Sequence, residues 1–449
     1  MIKKLHPTKH FGGSIEVPGD KSIAHRAALF SLLSKGKIEI VNFPNNQDCN
    51  RSLTAVEQLG VQVNRDNNII ELTPPEEIQP TNSDSIDCGN SGTTARLIAG
   101  IIAGSDLSVI LSGDESLSSR PMKRIIAPLT EMGAEIFPTE EQTLPMKING
   151  KKLLPFEYRL PIASAQIKSS VLLAGLASSC SVRVIEDVIT RDHTELMIEH
   201  LGENLQVRVI KAELVTDEND PRKKKMVMPE DFKKEIKTTP QTVINGGRVD
   251  IPGDISTAAF FFAGAAISGS TVTIAHLGLN PTRTAFLTYL KSIGCTVDIT
   301  DKETVSGELR GTVTVTGGEL KVKKISGETT VGLIDEIPIV AVIAAFTKGT
   351  TIIRDASELK VKESDRLMAV SENLRLAGIR CGLLEDGLAI EGGTEFSGAD
   401  FKSYGDHRIA MAFSIASMFA VGPSSIDDAS VVDISCPEFY ELLEKVTKA

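Results

Sequence analysis

The chain has 449 residues, 41% of them hydrophobic and 24% charged, and it carries a formal net charge of −11. This length predicts about two to four domains, and the negative charge argues against general nucleic-acid binding, which needs a basic face. Tryptophan is absent and only 4% of the residues are aromatic, which disfavours surfaces that stack bases or sugars. The six cysteines are far apart and form no C-x-x-C pair, so we expect a reducing compartment and no structural zinc. Without an apolar signal core or an apolar run long enough to span a bilayer, the sequence predicts a cytoplasmic protein.

A sequence motif near the N-terminus is repeated past the midpoint of the chain. Residues 18–30 read PGDKSIAHRAALF, and residues 252–264 read PGDISTAAFFFAG. Both copies predict a helix that begins just after an aspartate. In the second copy an isoleucine and a phenylalanine replace Lys21 and Arg26 of the first. The repetition predicts two similar halves, of which only the first carries cations at this position.

The stretch between the halves, from about Lys211 to Val249, is charged, contains proline and has little apolar periodicity. We predict that the halves meet there and that part of the stretch is an exposed loop on the first half. The basic run at residues 222–225 is interpreted as solvated surface rather than as a functional patch.

A helix-like run that ends in glycine and passes into a short strand-like run recurs at intervals of roughly 70 to 90 residues, longer than those of solenoid repeats. We expect each glycine to adopt a positive φ at a helix C-terminus. These glycines are Gly60, Gly133, Gly202, Gly294 and Gly378. Together with β-branched segments such as KIEIVNF and TVTIAHL, the pattern predicts an α/β protein built from a repeated unit, with a sixth unit near the C-terminus that lacks the glycine.

In the first half, the candidate functional residues stand at predicted helix starts. A helix N-terminus carries partial positive charge and free N–H groups, so cations and hydroxyl groups placed there make an anion site. The candidates in PGDKSIAHR, GNSGTTARL, SSRPMKR, SAQIKS and TRDHTE are Lys21, Ser22, Arg26, Gly92, Arg120, Ser164, Ala165, Gln166 and Arg191. For each motif alone, a plain helix cap or a loop arginine is the alternative. We interpret His193 as structural.

In the second half, acid–base candidates precede apolar helical runs. The candidates in IDEIP, KVKESDRL and DHRIAM are Asp335, Lys362, Glu363, Arg366 and Arg408. A cap at Asp335 or an i,i+3 salt bridge between Glu363 and Arg366 is the alternative. Because nearly every candidate lies at the start of an apolar helix, we expect the helix ends to converge on a pocket for a substrate with several anionic groups. No Walker, G-x-G-x-x-G or H-E-x-x-H pattern is present, and we expect neither a metal nor another cofactor.

These motifs, in this order from Pro18 to Met411, resemble those of the 5-enolpyruvylshikimate-3-phosphate synthase (3-phosphoshikimate 1-carboxyvinyltransferase) family. SAQIKS with RDHTE is similar to the branch that departs from the best-known enteric enzymes. The resemblance implies two similar domains, each of three βαβαββ units with inner helices and outer sheets, an inside-out α/β barrel. A lower domain would comprise residues 1–18 and 250–449, and an upper domain residues 19–249.

The resemblance also implies a role for each candidate. Shikimate 3-phosphate would be bound by Lys21, Ser22, Arg26, Ser164, Ala165, Gln166, Arg191, Asp335 and Lys362. Phosphoenolpyruvate would be bound by Lys21, Gly92, Arg120, Gln166, Arg366 and Arg408. Asp335 would accept the proton of the attacking 5-hydroxyl, and Glu363 and Lys21 would exchange protons at the pyruvyl methylene.

The implied reaction is an addition followed by an elimination through a tetrahedral intermediate, with release of phosphate, in the shikimate pathway of aromatic amino-acid biosynthesis. The resemblance implies a monomer without cofactors that binds neither nucleic acid nor membrane. Gly92 leaves room for glyphosate, so we expect this herbicide to inhibit the protein.

Two departures bear on this interpretation. Some relatives carry a lysine near the C-terminus where this chain reads DISCPEFYELL, so one cation for phosphoenolpyruvate is missing from the pattern. The sister transferase that acts on UDP-N-acetylglucosamine is the first alternative, but its reactive cysteine is absent from residues 114–119. The related RNA 3′-phosphate cyclases need a nucleotide-linked histidine, which nothing here suggests. A catalytically dead anion-binding regulator is a further alternative, which Lys21, Asp335 and Glu363 disfavour.

Overall fold

The computed structural model describes residues 1–66, 68–81, 83–211, 213–217, 220–227 and 231–448, with side chains described outside residues 212–230. Its α-helices are α1 (Lys21–Phe30), α2 (Gln47–Gln58), α3 (Gly92–Gly104), α4 (Glu115–Ser118), α5 (Lys123–Glu131), α6 (Ala165–Ala177), α7 (His193–Leu201), α8 (Ile255–Ser268), α9 (Ala285–Ser292), α10 (Glu328–Leu333), α11 (Ile337–Phe346), α12 (Arg366–Leu376), α13 (His407–Ser417) and α14 (Phe439–Thr447). Short 3-10 helices cover Ser357–Val361 and Ala429–Ile434.

Most of the strands are short, as the sequence predicts, but four of those described span eight to ten residues. They are β1 (Lys3–Leu5), β2 (Gly13–Ile15), β3 (Ile38–Val41), β4 (Gln62–Asp66), β5 (Ile69–Thr73), β6 (Ser85–Asp87), β7 (Ser108–Ser112), β8 (Glu135–Phe137), β9 (Met146–Asn149), β10 (Phe156–Arg159), β11 (Val182–Glu186), β12 (Gly202–Glu203), β13 (Gln206–Val209), β14 (Glu213–Asp217), β15 (Asp220–Val227), β16 (Lys234–Thr238), β17 (Val243–Ile244), β18 (Gly247–Asp250), β19 (Thr271–Gly278), β20 (Thr296–Val305), β21 (Glu308–Thr316), β22 (Lys324–Ile325), β23 (Gly349–Ile353), β24 (Arg380–Leu384), β25 (Gly387–Gly392), β26 (Asp400–Phe401) and β27 (Ser424–Ile426).

The larger sheets repeat one topology. Across the described residues, the four-stranded sheets have the orders β18-β3-β5-β4, β6-β7-β9-β8, β10-β11-β16-β13, β2-β19-β21-β20 and β22-β23-β25-β24. In each of them the first pair of neighbours is parallel and the next two pairs are antiparallel. A sheet of β26, β27 and β1 repeats the first three places, with β26 and β27 parallel and β1 antiparallel to β27. This last sheet corresponds to the predicted sixth unit.

The longest apolar helices lie inside these sheets. In the first half α3 packs against α1 and α6, and in the second half α8, α11 and α13 pack against one another. Helix α11 reads IPIVAVIAAF, and all of its residues but the last are buried. A helix that is apolar on every face has to be covered on every face, so it occupies the interior and leaves the sheets outside. The expected two-domain α/β fold with inner helices and outer sheets is therefore present.

Two separate hydrophobic clusters form the core. One contains buried side chains from Ile23 to Ile251, and the other combines Leu5–Val17 with residues from Ile255 to Val446. Since each domain needs its own core, this division supports the boundaries that the resemblance implies. We propose that residues 19–249 form the upper domain and that residues 1–18 with 250–449 form the lower domain.

The repeated Pro-Gly-Asp segments lie side by side where the chain passes between these domains. Strand β2 leads into the first segment but pairs with β19 of the lower domain, whereas β18 leads into the second segment but pairs with β3 of the upper domain. The backbone N–H of Asp20 donates to the carbonyl oxygen of Pro252 at 2.8 Å. The N–H of Asp254 donates to the carbonyl oxygen of Pro18 at the same distance. A Cβ on Gly19 would lie 2.1 Å from the backbone oxygen of Asn42, just after β3, so the close approach of the first segment to that strand requires glycine.

One buried arginine connects the two segments. Arg283 places NH1 3.2 Å from Asp20 Oδ2 and NH2 3.7 Å from Asp254 Oδ1. Burial raises the pKa of Asp20, but the charge of Arg283 and of other nearby groups lowers it by more, so the net shift of this pKa is downward. Burial and the charge of Asp20 raise the pKa of Asp254. Arg283 therefore stabilises the carboxylate of Asp20 more than that of Asp254.

The expectation for the five glycines is wrong at one position. Gly60, Gly133, Gly294 and Gly378 have φ between 80° and 113°, but Gly202 has φ −141°. The chain passes at Gly202 directly from α7 into β12, which pairs with β17, and a Cβ there would lie 2.0 Å from the carbonyl oxygen of Val243. This glycine is therefore required because the backbone of Val243 leaves no room for a side chain, not because of a left-handed turn.

The stretch at residues 211–249 is more regular than the predicted loop. Its backbone forms β14 and β15, which pair with each other, and then β16 to β18. Lys234 begins β16 and is buried, because its ammonium group has buried carboxylate partners. The side chains of the basic run at residues 222–225 lie outside the described residues.

All six cysteines are buried and free. Within the described ranges, no helix combines the length and the hydropathy that crossing a membrane requires.

Candidate active site

Helix starts position most of the candidate residues. Asp20, Ser164 and Asp365 cap α1, α6 and α12, each accepting a backbone N–H with its side chain. Asp406 caps α13 in the same way. These four residues therefore have a capping role, which for Ser164 does not conflict with ligand binding, since a hydroxyl can also donate. The alternative of a plain cap does not hold for Asp335, whose carboxylate lies just before α11 among cations.

Four cations surround the carboxylate of Asp335. Arg191 NH2 donates to Oδ2 at 2.5 Å, and Arg408 NH1 donates to the backbone oxygen of Asp335 at 2.7 Å. Lys362 Nζ and Arg366 NH1 lie 3.9 and 3.7 Å from Oδ1. Burial alone raises the pKa of Asp335, but these cations, Arg191 foremost, hold it well below its usual range. Arg191 comes from the proposed upper domain, so this cluster joins the two domains.

Glu363 forms a second junction. Arg366 NH2 donates to Glu363 Oε2 at 2.6 Å, and Arg120 NH1 lies 3.6 Å from Oε1. Burial raises the pKa of Glu363, yet Arg366 and Arg120 bring it well below its usual range. The expected i,i+3 pair with Arg366 is thus present, but Arg120 reaches the same carboxylate from the other domain. Asn90 Oδ1 accepts a hydrogen bond from Arg120 NH2 at 2.7 Å and fixes that side chain.

Arg366 links the two carboxylates. Besides Asp335 and Glu363, it contacts Asp406, to whose Oδ2 its Nε donates at 2.7 Å. Its side chain is 1% exposed, and although burial opposes the charge, the three carboxylates raise its pKa. The guanidinium therefore stays charged at the centre of the site.

Lys21 has a carboxylate partner that the motif analysis did not identify. Its Nζ lies 2.6 Å from Asp48 Oδ2, near the start of α2. Burial lowers the pKa of Lys21, but Asp48 raises it by more. At the start of α13, burial and the nearby charge of Lys21 lower the pKa of His407 well below its usual range. His407 is therefore uncharged at neutral pH.

Arg26 is held in a fixed orientation. It donates from Nε to Thr194 Oγ1 at 2.7 Å, from NH2 to Ser169 Oγ at 2.9 Å and from NH1 to the carbonyl oxygen of Ser22 at 2.8 Å. Burial lowers its pKa to about 10, so it remains charged at neutral pH. Ala165 begins α6 next to this group, and its carbonyl oxygen accepts from Ser169 Oγ.

Gln166 and Gly92 lie together at the facing starts of α6 and α3. Arg96 NH1 donates to Gln166 Oε1 at 3.1 Å, and Gln166 Nε2 donates to Thr93 Oγ1 at 3.1 Å. A Cβ on Gly92 would lie 2.7 Å from Arg96 NH1 and 3.4 Å from Arg120 NH1. Glycine therefore lets both guanidinium groups approach the helix start.

His193, which we interpret as structural, is buried and connects the two proposed domains. Its Nδ1 lies 2.6 Å from Glu308 Oε1 of the lower domain, and its Nε2 lies 3.4 Å from Arg283 NH1. Sequence reasoning missed Asp48, Arg283 and Glu308. Each is a single charged residue in an otherwise ordinary segment, and its importance follows only from partners distant in the sequence.

The arrangement as a whole is a cluster of cations and ionised carboxylates contributed by both proposed domains, a composition suited to polyanionic small molecules. Among the described residues, no group of three or more histidine, cysteine, aspartate or glutamate side chains is arranged to hold a metal ion.

A profile of the EPSP synthase (3-phosphoshikimate 1-carboxyvinyltransferase) family matches residues 5–443. The chain is 41% identical over 448 residues to a 3-phosphoshikimate 1-carboxyvinyltransferase of Desulforamulus reducens, covering 98% of each chain. It is 42% identical over 438 residues to one of Anaeromyxobacter sp. strain K, covering 97% of this chain and 94% of the relative. Among solved structures, an EPSP synthase from Acinetobacter baumannii matches with a TM-score of 0.81 and 34% identity, over 99% of this chain and 98% of that one. The chain therefore belongs to the EPSP synthase family.

Proposed function

We propose that the cleft transfers the enolpyruvyl group of phosphoenolpyruvate to the 5-hydroxyl of shikimate 3-phosphate, with release of phosphate. The observation that carries this proposal is the placement of Asp335 and Glu363, two ionised carboxylates joined by Arg366 and reached by cations of both domains. An addition–elimination between two anions needs both features. Cations hold the two anionic substrates together. Carboxylates take part in proton transfer and stabilise the positive charge that develops at C2.

Shikimate 3-phosphate binds at the starts of α1 and α6. Its ligands are Lys21, Ser22, Arg26, Ser164, Ala165, Gln166, Arg191, Asp335 and Lys362. Three protein oxygens already orient Arg26, and its remaining N–H groups are free to meet the carboxylate or hydroxyl groups of the substrate. The 3-phosphate lies against Ser164 and Ala165, where the N-terminus of α6 adds its dipole to the charge of Lys362.

Phosphoenolpyruvate binds between the two clusters. Its ligands are Lys21, Gly92, Arg120, Gln166, Arg366 and Arg408. Arg120 and Arg366 flank Glu363, and Arg408 adjoins Asp335, so the bound molecule lies between the two carboxylates. The compact Gly92 keeps the start of α3 open for this ligand.

Substrate binding also raises the basicity of Asp335. In the protein alone, Arg191, Arg408, Lys362 and Arg366 hold its pKa well below the usual range, which makes it a weak base. Phosphate and carboxylate groups that bind to the same cations compensate their charge and reduce this effect. Asp335 therefore gains proton affinity when both substrates are present and accepts the proton of the 5-hydroxyl.

The reaction then proceeds in two stages. The 5-oxygen bonds to C2 of phosphoenolpyruvate and gives its proton to Asp335, while the methylene carbon gains a proton from the ammonium group of Lys21. In the second stage the C–O bond to phosphate breaks, the carbon that gained a proton loses one to the amine of Lys21 or to the ionised carboxylate of Glu363, and the enol ether double bond forms. Closure of the domains excludes water, which would otherwise compete as a nucleophile.

The test is phosphate release on mixing shikimate 3-phosphate with phosphoenolpyruvate. Wild-type protein should turn over, and Asp335→Asn should lose on the order of 100-fold or more in kcat, the scale of a missing general base. Asp298→Asn, the same substitution on an exposed strand residue, is the matched control and should behave as wild type. Tight binding of either substrate without phosphate release would favour an anion-binding regulator. Full activity of Asp335→Asn would reject the assigned base.

We also propose that the protein acts as a monomer in the cytoplasm. All of the assigned ligands belong to one chain, so the site needs no second copy, and the free buried thiols suit a reducing compartment. Light scattering of the purified protein with both substrates tests the first point: a stable dimer would contradict it.

A further inference from the structure

Two lysines and two glutamates form a buried cluster beneath the loop that carries Arg191. Lys168 Nζ lies 2.8 Å from Glu195 Oε1 and 3.1 Å from Glu186 Oε1, and Lys234 Nζ lies 2.9 Å from Glu195 Oε1. Their side chains are between 0 and 3% exposed. We call these four residues the buried ion quartet. They come from α6, β11, α7 and β16, the main elements of the third unit of the upper domain.

The quartet is joined to both neighbours of Arg191. Glu186 Oε1 accepts hydrogen bonds from the hydroxyl and, at 3.2 Å, the backbone N–H of Thr190. On the other side, Lys234 Nζ lies 3.5 Å from Asp192 Oδ2. The residues before and after Arg191 are thus both fixed to buried charges.

Asp192 contacts the buried ion quartet instead of capping the helix that follows it. It stands immediately before α7, where an aspartate usually accepts a backbone N–H of the first turn, but it makes no such bond. Its carboxylate instead contacts Lys234 and accepts a hydrogen bond from Asn280 Nδ2, at 2.9 Å, across the domain interface. The loop is therefore shaped by the quartet and by the lower domain rather than by the helix that follows it.

Stability alone is a poor reason for the quartet. Removing four charges from water is costly, and well-packed apolar residues in such places are often equally or more stable. Among the described residues, Glu195 Oε2 is buried without a hydrogen-bond partner. Burial raises the pKa of Glu195, but Lys168 and Lys234 lower it by more, so the glutamate stays ionised. What these paired charges do supply is one defined geometry for the segments they join, because each lysine is in contact with a carboxylate of another element.

We propose that Lys168, Glu186, Glu195 and Lys234 are positioning residues that hold Arg191 at the substrate cleft. Arg191 reaches Asp335 at 2.5 Å from a loop, and long side chains on loops lose precision unless their backbone is fixed. The quartet acts only through Arg191 and touches no substrate. The proposal rests on the proposed function, in which Arg191 binds shikimate 3-phosphate.

The experiment is a double-mutant cycle between Lys234→Met and Arg191→Met, read by steady-state kinetics. Each single variant should raise the KM for shikimate 3-phosphate about tenfold, the scale of one charge-assisted hydrogen bond, with a smaller change in kcat. In the Arg191→Met background, Lys234→Met should add less than about twofold, because the guanidinium that it positions is gone. A purely structural role would instead lower the melting temperature and leave the KM unchanged, or would act independently of Arg191.

Lys237→Met is the matched control, since Lys237 lies on the same strand with its side chain exposed, and it should behave as wild type. If Lys234→Met does not fold, Thr190→Val takes its place, because it removes one donor to Glu186 and leaves the four charges intact. Absence of phosphate release by the wild-type protein would reject the proposed function. Turnover by the wild type, combined with an unchanged KM in Lys234→Met or with effects that multiply in the double variant, would overturn the positioning role alone.

Discussion

Helices α1 and α8 begin side by side, at the two places where the chain passes between the domains. Both follow Pro-Gly-Asp, and the aspartate side chain caps both. Helix α1 then presents Lys21 and Arg26 to the cleft, whereas α8 has Ile255 and Phe260 at the same places and is buried along nearly its whole length. The tight turn and the capping aspartate are common to both helices, so the chain crossing requires them. The cations occur only in α1, so we attribute them to the proposed chemistry.

The partners differ as clearly as the helices. Lys21 has Asp48, and Arg26 has Thr194 and Ser169, all contributed by the upper domain. Phe260 packs against Phe439 of α14, with ring centroids 6.1 Å apart. The cations of α1 thus have polar partners on neighbouring elements, whereas Phe260 of α8 has an aromatic one. The following predictions test that difference.

The largest effect is expected at the first position of the two helices. Lys21→Met should lower kcat/KM by about 10²–10³-fold, because it removes a half-buried cation that we propose meets both substrates at the transition state. Ile255→Met is the matched substitution in the second copy; it conserves volume and should cost less than about 1.5 kcal/mol of stability, with activity retained. Phosphate release and thermal melting measure the two outcomes, and a comparable loss of activity in both variants would break the comparison.

The two capping aspartates should differ next. Asp20→Asn should lower the free energy of unfolding by about 2–3 kcal/mol, since Arg283 loses its better partner. Asp254→Asn keeps a capping oxygen, removes a repelled carboxylate and should cost less than about 1 kcal/mol. Urea unfolding at neutral pH measures both, and equal losses would contradict the unequal sharing of Arg283.

The free energy of unfolding should depend on pH in opposite directions for the two aspartates. The pKa of Asp20 is lowered in the folded protein, so its contribution is complete above the ordinary pKa of about 4 and is lost as the pH falls through the folded value. The pKa of Asp254 is raised, so its charge weakens the fold as the pH rises through that value. The advantage of wild type over Asp20→Asn should therefore shrink in acid.

A smaller effect is expected at the sixth position of each helix. Arg26→Gln should raise the KM for shikimate 3-phosphate about tenfold, as one ionic hydrogen bond is lost. Phe260→Leu should leave that KM unchanged and lower stability by about 1–2 kcal/mol through lost packing against Phe439. A change of KM in Phe260→Leu would show that α8 also touches the substrate.

The smallest effect at neutral pH is expected at Asp48, the partner that α8 lacks. Its charge raises the pKa of Lys21, so Asp48→Asn should lower that pKa and move the alkaline limb of the kcat/KM profile to lower pH. At pH 7 the rates of the two proteins should differ only a few-fold. An alkaline limb that does not move would separate Asp48 from the charge state of Lys21.

The sequence indicated those parts of the site that are local. Lys21, Arg120, Asp335 and Arg408 stand next to helix starts, and the position of a charge relative to a helix start can be inferred from a few neighbouring residues. Repetition of the helix–glycine–strand pattern likewise predicted the repeated sheets, because each unit is formed by consecutive residues.

What could not be predicted depends on residues far apart in the sequence. The pairing of β2 with β19 and of β18 with β3 joins strands more than 200 residues apart, and nothing local in GSI or GRVD indicates it. The error at Gly202 has the same origin, since Val243 determines the available space. The buried ion quartet was missed because Lys234 lies in a stretch whose composition is typical of an exposed loop.

The paired crossings constrain how the molecule can move. Two antiparallel segments bonded to each other in both directions bend together readily, but they resist twisting about their common length. A rotation of one domain against the other would therefore have to bend both segments together, which favours one hinge axis over independent rotations. Charged residues of the two domains, such as Arg191 and Asp335, would then meet in the same register at each closure, and proteolytic cleavage of one segment would leave the other to guide the motion.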